Sequence, residues 1–135
     1  MTRKTFFLLA DDDRDDIELL EECVKSIDNT IIFKAVQDGR KAVAFLQSCP
    51  EDKLPTTIIL DYNMPHINGP GMLDWLCDDT RYNGIHKFVW STAFQEEYVT
   101  ACMEKGAIRY FVKPITMEGV EEIARTIIAV SKESA

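Results

Sequence analysis

Four groups of residues could do chemistry together: Asp11-Asp12-Asp13, Asp61, Ser91-Thr92 and Lys113-Pro114. Asp61 is the centre of the set, because the apolar run Ile58 to Leu60 ends abruptly in its carboxylate. A run of this kind, bounded by turn formers, reads as a fully buried strand of a parallel sheet. Burying a charge mid-strand is costly, so Asp61 belongs at the strand's carboxyl end. That edge is where open α/β sheets bind ligands. Alone, an aspartate there could simply open a turn. Two further acidic or basic groups also end apolar runs: Asp11-Asp12-Asp13 follows Phe6 to Ala10, and Lys113-Pro114 follows Ile108 to Val112. Two carboxylates about 4 Å apart repel by about 4 kcal/mol at an effective dielectric of about 20. Asp11, Asp12 and Asp61 can therefore converge only around a cation. Carboxylate oxygen selects Mg2+ or Ca2+, and a site of few protein ligands with several waters suits Mg2+. Mg2+ commonly brings phosphate; Lys113 would add a second positive charge for phosphoryl oxygens, and the Ser91 hydroxyl a hydrogen bond. Taken singly, the acids read as a solvated helix start and Lys113 as a surface lysine with its stem laid on the protein.

The elements that must position these residues follow from periodicity. Thr5 to Ala10, Thr30 to Val36, Thr56 to Leu60, Lys87 to Thr92 and Ile108 to Val112 read as strands. Between them, apolar residues recur at helical spacing. Ile17, Leu20, Val24 and Ile27 form one face, with Asp15, Asp16 and Glu18 at the positive end of that helix dipole. Ala42, Val43, Phe45 and Leu46 mark a second helix. A third opens at Asn68-Gly69-Pro70 and carries Met72, Leu73, Trp75 and Leu76. A fourth runs from Glu96 to Lys105 and stops at Gly106. Thr116 can cap a fifth, whose buried face is Val120, Ile123, Ala124, Ile127 and Ile128. Five strand–helix units in strict alternation predict an α/β fold: a five-stranded parallel sheet, (βα)5 and doubly wound, with right-handed crossovers. All strand ends then point one way, so the acids, Ser91 and Lys113 share one edge.

Composition sets the outer bounds. The chain has 135 residues, 46% of them hydrophobic, which predicts one domain over 1–135 with a proper core and no attached effector. A net charge of −8 argues against direct binding to nucleic acid or to anionic membranes. The apolar runs are too short to span a bilayer. Thr2-Arg3-Lys4 before Phe6 to Ala10 has the outline of a signal peptide, but the apolar stretch is short, runs straight into three aspartates and lacks a cleavage site. Cys23, Cys49, Cys77 and Cys102 are scattered with no C-x-x-C pair, so four reduced thiols in a cytoplasmic protein is the simplest expectation.

With these residues in place, the chain resembles the receiver domains of two-component response regulators, of the stand-alone CheY-like type. The likeness runs from about Thr5 to Val130. It rests on the hydrophobic run ending in Asp11-Asp12, on Asp61-Tyr62-Asn63-Met64-Pro65, and on Lys113-Pro114. The resemblance implies the flavodoxin-like strand order 2-1-3-4-5. It implies that Asp61 accepts a phosphoryl group from a phosphohistidine on a histidine kinase or histidine phosphotransfer protein. Asp11, Asp12, Asp61 and the backbone carbonyl of Asn63 would hold Mg2+, and Asp13 would only start the helix. Lys113 would pair with the phosphoryl oxygens. Ser91 and Tyr110 would be the switch pair, moving together to reshape the surface of the fourth helix, fifth strand and fifth helix for a downstream protein target. The Lys113–Pro114 bond is expected to be cis. Asn63, Thr92 and Ala93 would tune the rate of phosphoryl loss; Thr92 is bulkier than the family's usual residue there. A monomer or weak homodimer is expected.

Two other functions share this topology. A Mg2+-dependent phosphohydrolase with an aspartyl phosphate needs an acid two positions after the nucleophile, where this chain has Asn63. A flavin binder needs a phosphate-cradling loop after the first strand, where Asp11-Asp12-Asp13 would repel phosphate. The resemblance therefore implies a signalling switch rather than a turnover enzyme. Of the aromatic residues, Trp75, Trp90 and Tyr98 read as core, while Phe94 is a candidate for an exposed docking position. His66 and His86 have no companion that would make either a ligand.

Overall fold

A computed structural model describes residues 4–133. The chain alternates β1 (Phe6–Ala10), α1 (Arg14–Ile27), β2 (Ile32–Val36), α2 (Gly39–Ser48), β3 (Thr57–Asp61), α3 (Gly69–Cys77), β4 (His86–Ser91), α4 (Glu96–Glu104), β5 (Arg109–Val112) and α5 (Met117–Glu133). Single turns of 3-10 helix lie at Glu51–Lys53 and Thr80–Tyr82. All pairings are parallel and the strand order is β2-β1-β3-β4-β5. The flavodoxin-like α/β architecture and its order 2-1-3-4-5 are as the sequence predicts.

Strand residues point alternately to two apolar layers. Phe7, Leu9, Ile59, Phe88 and Trp90 face α1 and α5. Leu8, Ala10, Ile58, Leu60 and Val89 face α2, α3 and α4. β3 is buried at every position, as expected of the central strand of a sheet covered on both sides. The helix starts are specified locally. The Asp13 carboxylate accepts from the N–H groups of Asp15 and Asp16, Asp38 caps α2, Asn68 caps α3, and the Thr116 hydroxyl accepts from Gly119 N–H at the head of α5.

The departures from expectation are small. Ile27 was expected in the core; it is 38% exposed at the last position of α1, and Cys23 completes the buried face instead. β3 and β4 run one residue out of step with the sequence reading, so Asp61 is the last strand residue, paired in register with Trp90. Tyr98 and Trp75 are half-buried rather than core, whereas Trp90 is buried and Phe94 exposed, as read. The expected cis bond at Lys113–Pro114 is not found: there is no cis peptide bond among the described residues. An X–Pro bond prefers trans by about 0.5–1 kcal/mol in the absence of a constraint, and the trans bond already lets Lys113 reach the acidic residues described below.

Candidate functional site

The register explains how residues from distant parts of the chain come to share one edge. Ala10 is aligned with Leu60, so Asp11 stands beside Asp61. Ser91 is aligned with Val112, so Lys113 is the next residue out. The backbone extends the pairing past the strands: Asp11 N–H donates to the Val36 carbonyl at 3.0 Å, and Lys113 N–H to the Ser91 carbonyl at 2.7 Å. β1 and β3 are neighbours whose onward connections leave to opposite faces of the sheet, which opens the crevice characteristic of this topology. Asp11 and Asp61 flank that crevice.

Asp11, Asp12 and Asp61 each offer a carboxylate oxygen, and these oxygens lie within 4.8 Å of one another. Asp11 is fully buried, Asp61 is 4% exposed and Asp12 is exposed. Such an arrangement is repulsive and needs positive charge. Part of it comes from the Lys113 ammonium, 2.9 Å from Asp11 Oδ2 and 3.6 Å from Asp61 Oδ2. The compensation is incomplete. Asp11 Oδ2 is buried with that ammonium as its one neighbouring positive charge and no well-aligned hydrogen bond among the described residues. Three hard oxygen donors, one of them unsatisfied, fit a small divalent cation. The acidic cluster could therefore hold a metal ion.

Burial and the neighbouring Asp11 push the Asp61 carboxyl up from the usual aspartate value to about 7, against the pull of Lys113. Burial disfavours the Lys113 charge, but Asp11 and Asp16 outweigh it and hold the ammonium above the usual lysine range. The remaining oxygens are fixed by backbone. Asp11 Oδ1 accepts from Asp13 N–H at 2.8 Å, and Asp61 Oδ1 from Asn63 N–H at 3.3 Å. Two glycines let the chain fold tightly behind Asp61. A Cβ at Gly69 would stand 3.0 Å from the Asp61 carbonyl oxygen, and one at Gly39 only 2.3 Å from the Ile67 carbonyl oxygen.

The other sequence-derived residues occupy the rim. Ser91 is fully buried, and its hydroxyl oxygen accepts from Ala93 N–H at 3.1 Å. The Tyr110 hydroxyl donates to the Ala93 carbonyl at 2.8 Å, so both residues engage the same loop between β4 and α4. The Tyr110 ring lies edge-on to Tyr62, which stacks on Tyr98 with centroids 4.4 Å apart. Thr92 and Asn63 are exposed and Ala93 is half-buried. Pro114 packs on α5, where a Cβ at Gly119 would lie 2.4 Å from Pro114 Cβ. The His66 ring nitrogen Nδ1 lies 3.2 Å from the Arg40 guanidinium, and His86 lies at the opposite end of the sheet, at the start of β4.

Sequence reasoning missed two residues. It read Asp16 as a helix-dipole acid, yet its Oδ2 accepts a hydrogen bond from Lys113 Nζ at 2.9 Å. The signal was available only as helical phase: Asp16 lies five residues after Asp11 and points back over the first turn of α1. Tyr62 was read only as a spacer in the Asp61 motif, where an aromatic ring gave no hint of its partner on α4.

Comparison with known proteins agrees with this geometry. The chain superimposes on a phosphorylated cyanobacterial phytochrome response regulator, RcpA, with a TM-score of 0.87 and 24% identity, over 99% of this chain and 97% of that one. The Mn2+-bound form of response regulator Rcp1 matches with a TM-score of 0.83 and 25% identity, over 97% and 96% of the two chains. A two-component response regulator from Legionella pneumophila matches with a TM-score of 0.80 and 24% identity, over 96% and 99%. The family model of the response regulator receiver domain matches residues 7–125, and the chain belongs to that family.

Proposed function

We propose that this protein is a phosphorylation-dependent signalling switch whose phosphoacceptor is Asp61. The observation that carries the reading is the convergence at one sheet edge of a buried carboxylate, two further acids and an ammonium 3.6 Å away. Mg2+, held by Asp11, Asp12, Asp61 and the Asn63 backbone carbonyl, would supply positive charge to the phosphoryl oxygens when bound; Rcp1 has been solved with Mn2+. An Asp61 carboxylate oxygen attacks phosphorus as the phosphorus–nitrogen bond of a partner's phosphohistidine breaks and the imidazole leaves. Lys113 pairs with the transferred oxygens. Water later attacks phosphorus and returns the free carboxylate and inorganic phosphate.

The new group brings nearly two negative charges. In this reading the Ser91 hydroxyl turns to the phosphoryl oxygens, its hydrogen bond from Ala93 N–H is exchanged, and the loop that also holds the Tyr110 hydroxyl is repositioned. The change passes to α4, β5 and α5, a local charge event read by a two-state element. The donor would be a histidine kinase or phosphotransfer protein and the reader a downstream protein, in the cytoplasm. Among the described residues no helix is long and apolar enough to cross a membrane. A phosphohydrolase is the weaker reading, because Asn63 offers no acid two positions after Asp61.

The test is to titrate the wild type with beryllofluoride, and separately with acetyl phosphate, following tryptophan fluorescence in the presence and absence of Mg2+. The expected result is a Mg2+-dependent response that Asp61→Asn removes. A silent wild type, or an Asp61→Asn variant that responds undiminished, overturns the reading.

A further inference from the structure

Lys113 faces three carboxylates, and it treats them unequally. Its ammonium is 2.9 Å from Asp11 Oδ2, 2.9 Å from Asp16 Oδ2 and 3.6 Å from Asp61 Oδ2. The Asp16 contact has full hydrogen-bond geometry, the Asp11 contact is an ion pair at the same distance, and Asp61 is farther off. Asp16 is also the most exposed of the three, with 28% of its side chain accessible against 0% and 6%. The lysine is thus shared at equal distance between an acid of the metal cluster and one that lies outside it.

We propose that Asp16 is a positioning residue that shares the Lys113 ammonium with Asp11 and keeps it from settling between Asp11 and Asp61, where it would compete with a divalent cation and with the incoming phosphoryl group. This rests on the phosphoacceptor reading above. A lysine placed between Asp11 and Asp61 would satisfy the oxygens that the cation needs and compete with it directly. An ammonium has three N–H donors; committing one to Asp16 tethers it from the α1 side, at the rim of the cluster. The tether is placed by the Asp13 cap, whose carboxylate accepts the Asp16 N–H at 3.2 Å and fixes the first turn of α1. When phosphoryl oxygens arrive, the ammonium exchanges Asp16 for them and needs to move only by a side-chain rotation.

A mere loss of negative charge would also weaken cation binding, so the test is a double-mutant cycle read by calorimetric Mg2+ titration of the unphosphorylated protein. Asp16→Asn should weaken Mg2+ binding by about tenfold in the wild-type background, a coupling usual for side chains in contact. In the Lys113→Met background, which keeps an apolar side chain of similar length and removes the charge, Asp16→Asn should change it by less than about twofold, as expected of a screened surface charge. Asp16→Glu, which keeps the carboxylate, should restore most of the affinity in the Lys113 background. Thermal midpoints of the Asp16 variants should stay near that of the wild type, which separates positioning from folding. Equal losses in both backgrounds, or no loss in either, overturn the proposal while Asp61-dependent Mg2+ binding keeps the phosphoacceptor reading. A wild type that binds no Mg2+ overturns both, and is recognised by its silence before any Asp16 variant is compared.

Discussion

At the scale of the residue, the identity and placement of Asp61 decide most of the chemistry. Its carboxyl titrates near 7 because it is buried beside Asp11. A folded-state value above the unfolded one means that the native protein binds the extra proton between about pH 4 and pH 7. Stability is therefore greatest below that window and falls as pH rises through it. Without divalent cation, urea unfolding should be easier at pH 8 than at pH 5 by about 2 kcal/mol from this group. Asp61→Asn should remove most of that slope, and saturating Mg2+ should recover stability at pH 8 by mass action. A slope that survives Asp61→Asn would assign the effect elsewhere. Asp11, Asp12, Asp61 and Lys113 were all legible in the sequence because each ends an apolar run, and a charge there has one physical place to go. Asp16 was not, because an acid in the first turn of a helix has a sufficient local reason to exist.

At the scale of the element, the site depends on close backbone approach behind Asp61. Gly39, the first residue of α2, lies against the loop between β3 and α3, where an added Cβ would overlap the Ile67 carbonyl oxygen at 2.3 Å and Ile67 Cβ at 2.6 Å. Neither atom is a flexible side-chain tip, so relief requires the loop or the helix to move. Gly39→Ala should cost about 2 kcal/mol despite alanine's better helix propensity, measured as a lowered urea midpoint at unchanged slope. Gly84, whose Cβ would meet nothing within 4 Å, is the control, and its alanine variant should be close to neutral. The same loop carries His66 at a φ of 69°, a conformation that side chains other than Gly adopt at a cost. Strand and helix assignments followed from periodicity to within a residue or two. What periodicity missed were contacts between elements: the Tyr62–Tyr98 stack joins the strand end to α4 through two residues that no pattern within either element pairs.

At the scale of the molecule, the topology gathers separated residues at one end of the sheet, and it leaves β2 and β5 as the two edge strands. β5 is an edge strand, and it has few residues facing the core: its four positions are exposed or only half-buried. Around it Phe94, Met103, Ile108, Val112, Ile115 and Met117 are all exposed, although the interior is otherwise well filled. These six apolar side chains lie on α4, β5, the start of α5 and the loops that flank them, and an apolar patch there would suit a contact surface. It is the same side to which the switch reading sends the change at Asp61. Of these residues only Phe94 was foreseen as exposed, since strand periodicity cannot show that a strand lies at an edge. If the patch serves contact rather than folding, removing its most exposed member should leave the fold and the acid site alone. Ile115 is fully exposed. Ile115→Ser should change the unfolding free energy by no more than about 0.5 kcal/mol, as for a surface site without special contacts. Its Mg2+-dependent fluorescence response to beryllofluoride should match the wild type. A large loss of stability would place Ile115 in the fold's own packing, and a lost response would tie it to phosphoryl acceptance. An unchanged protein on both measurements is the outcome expected if Ile115 serves contact rather than folding or phosphoryl acceptance.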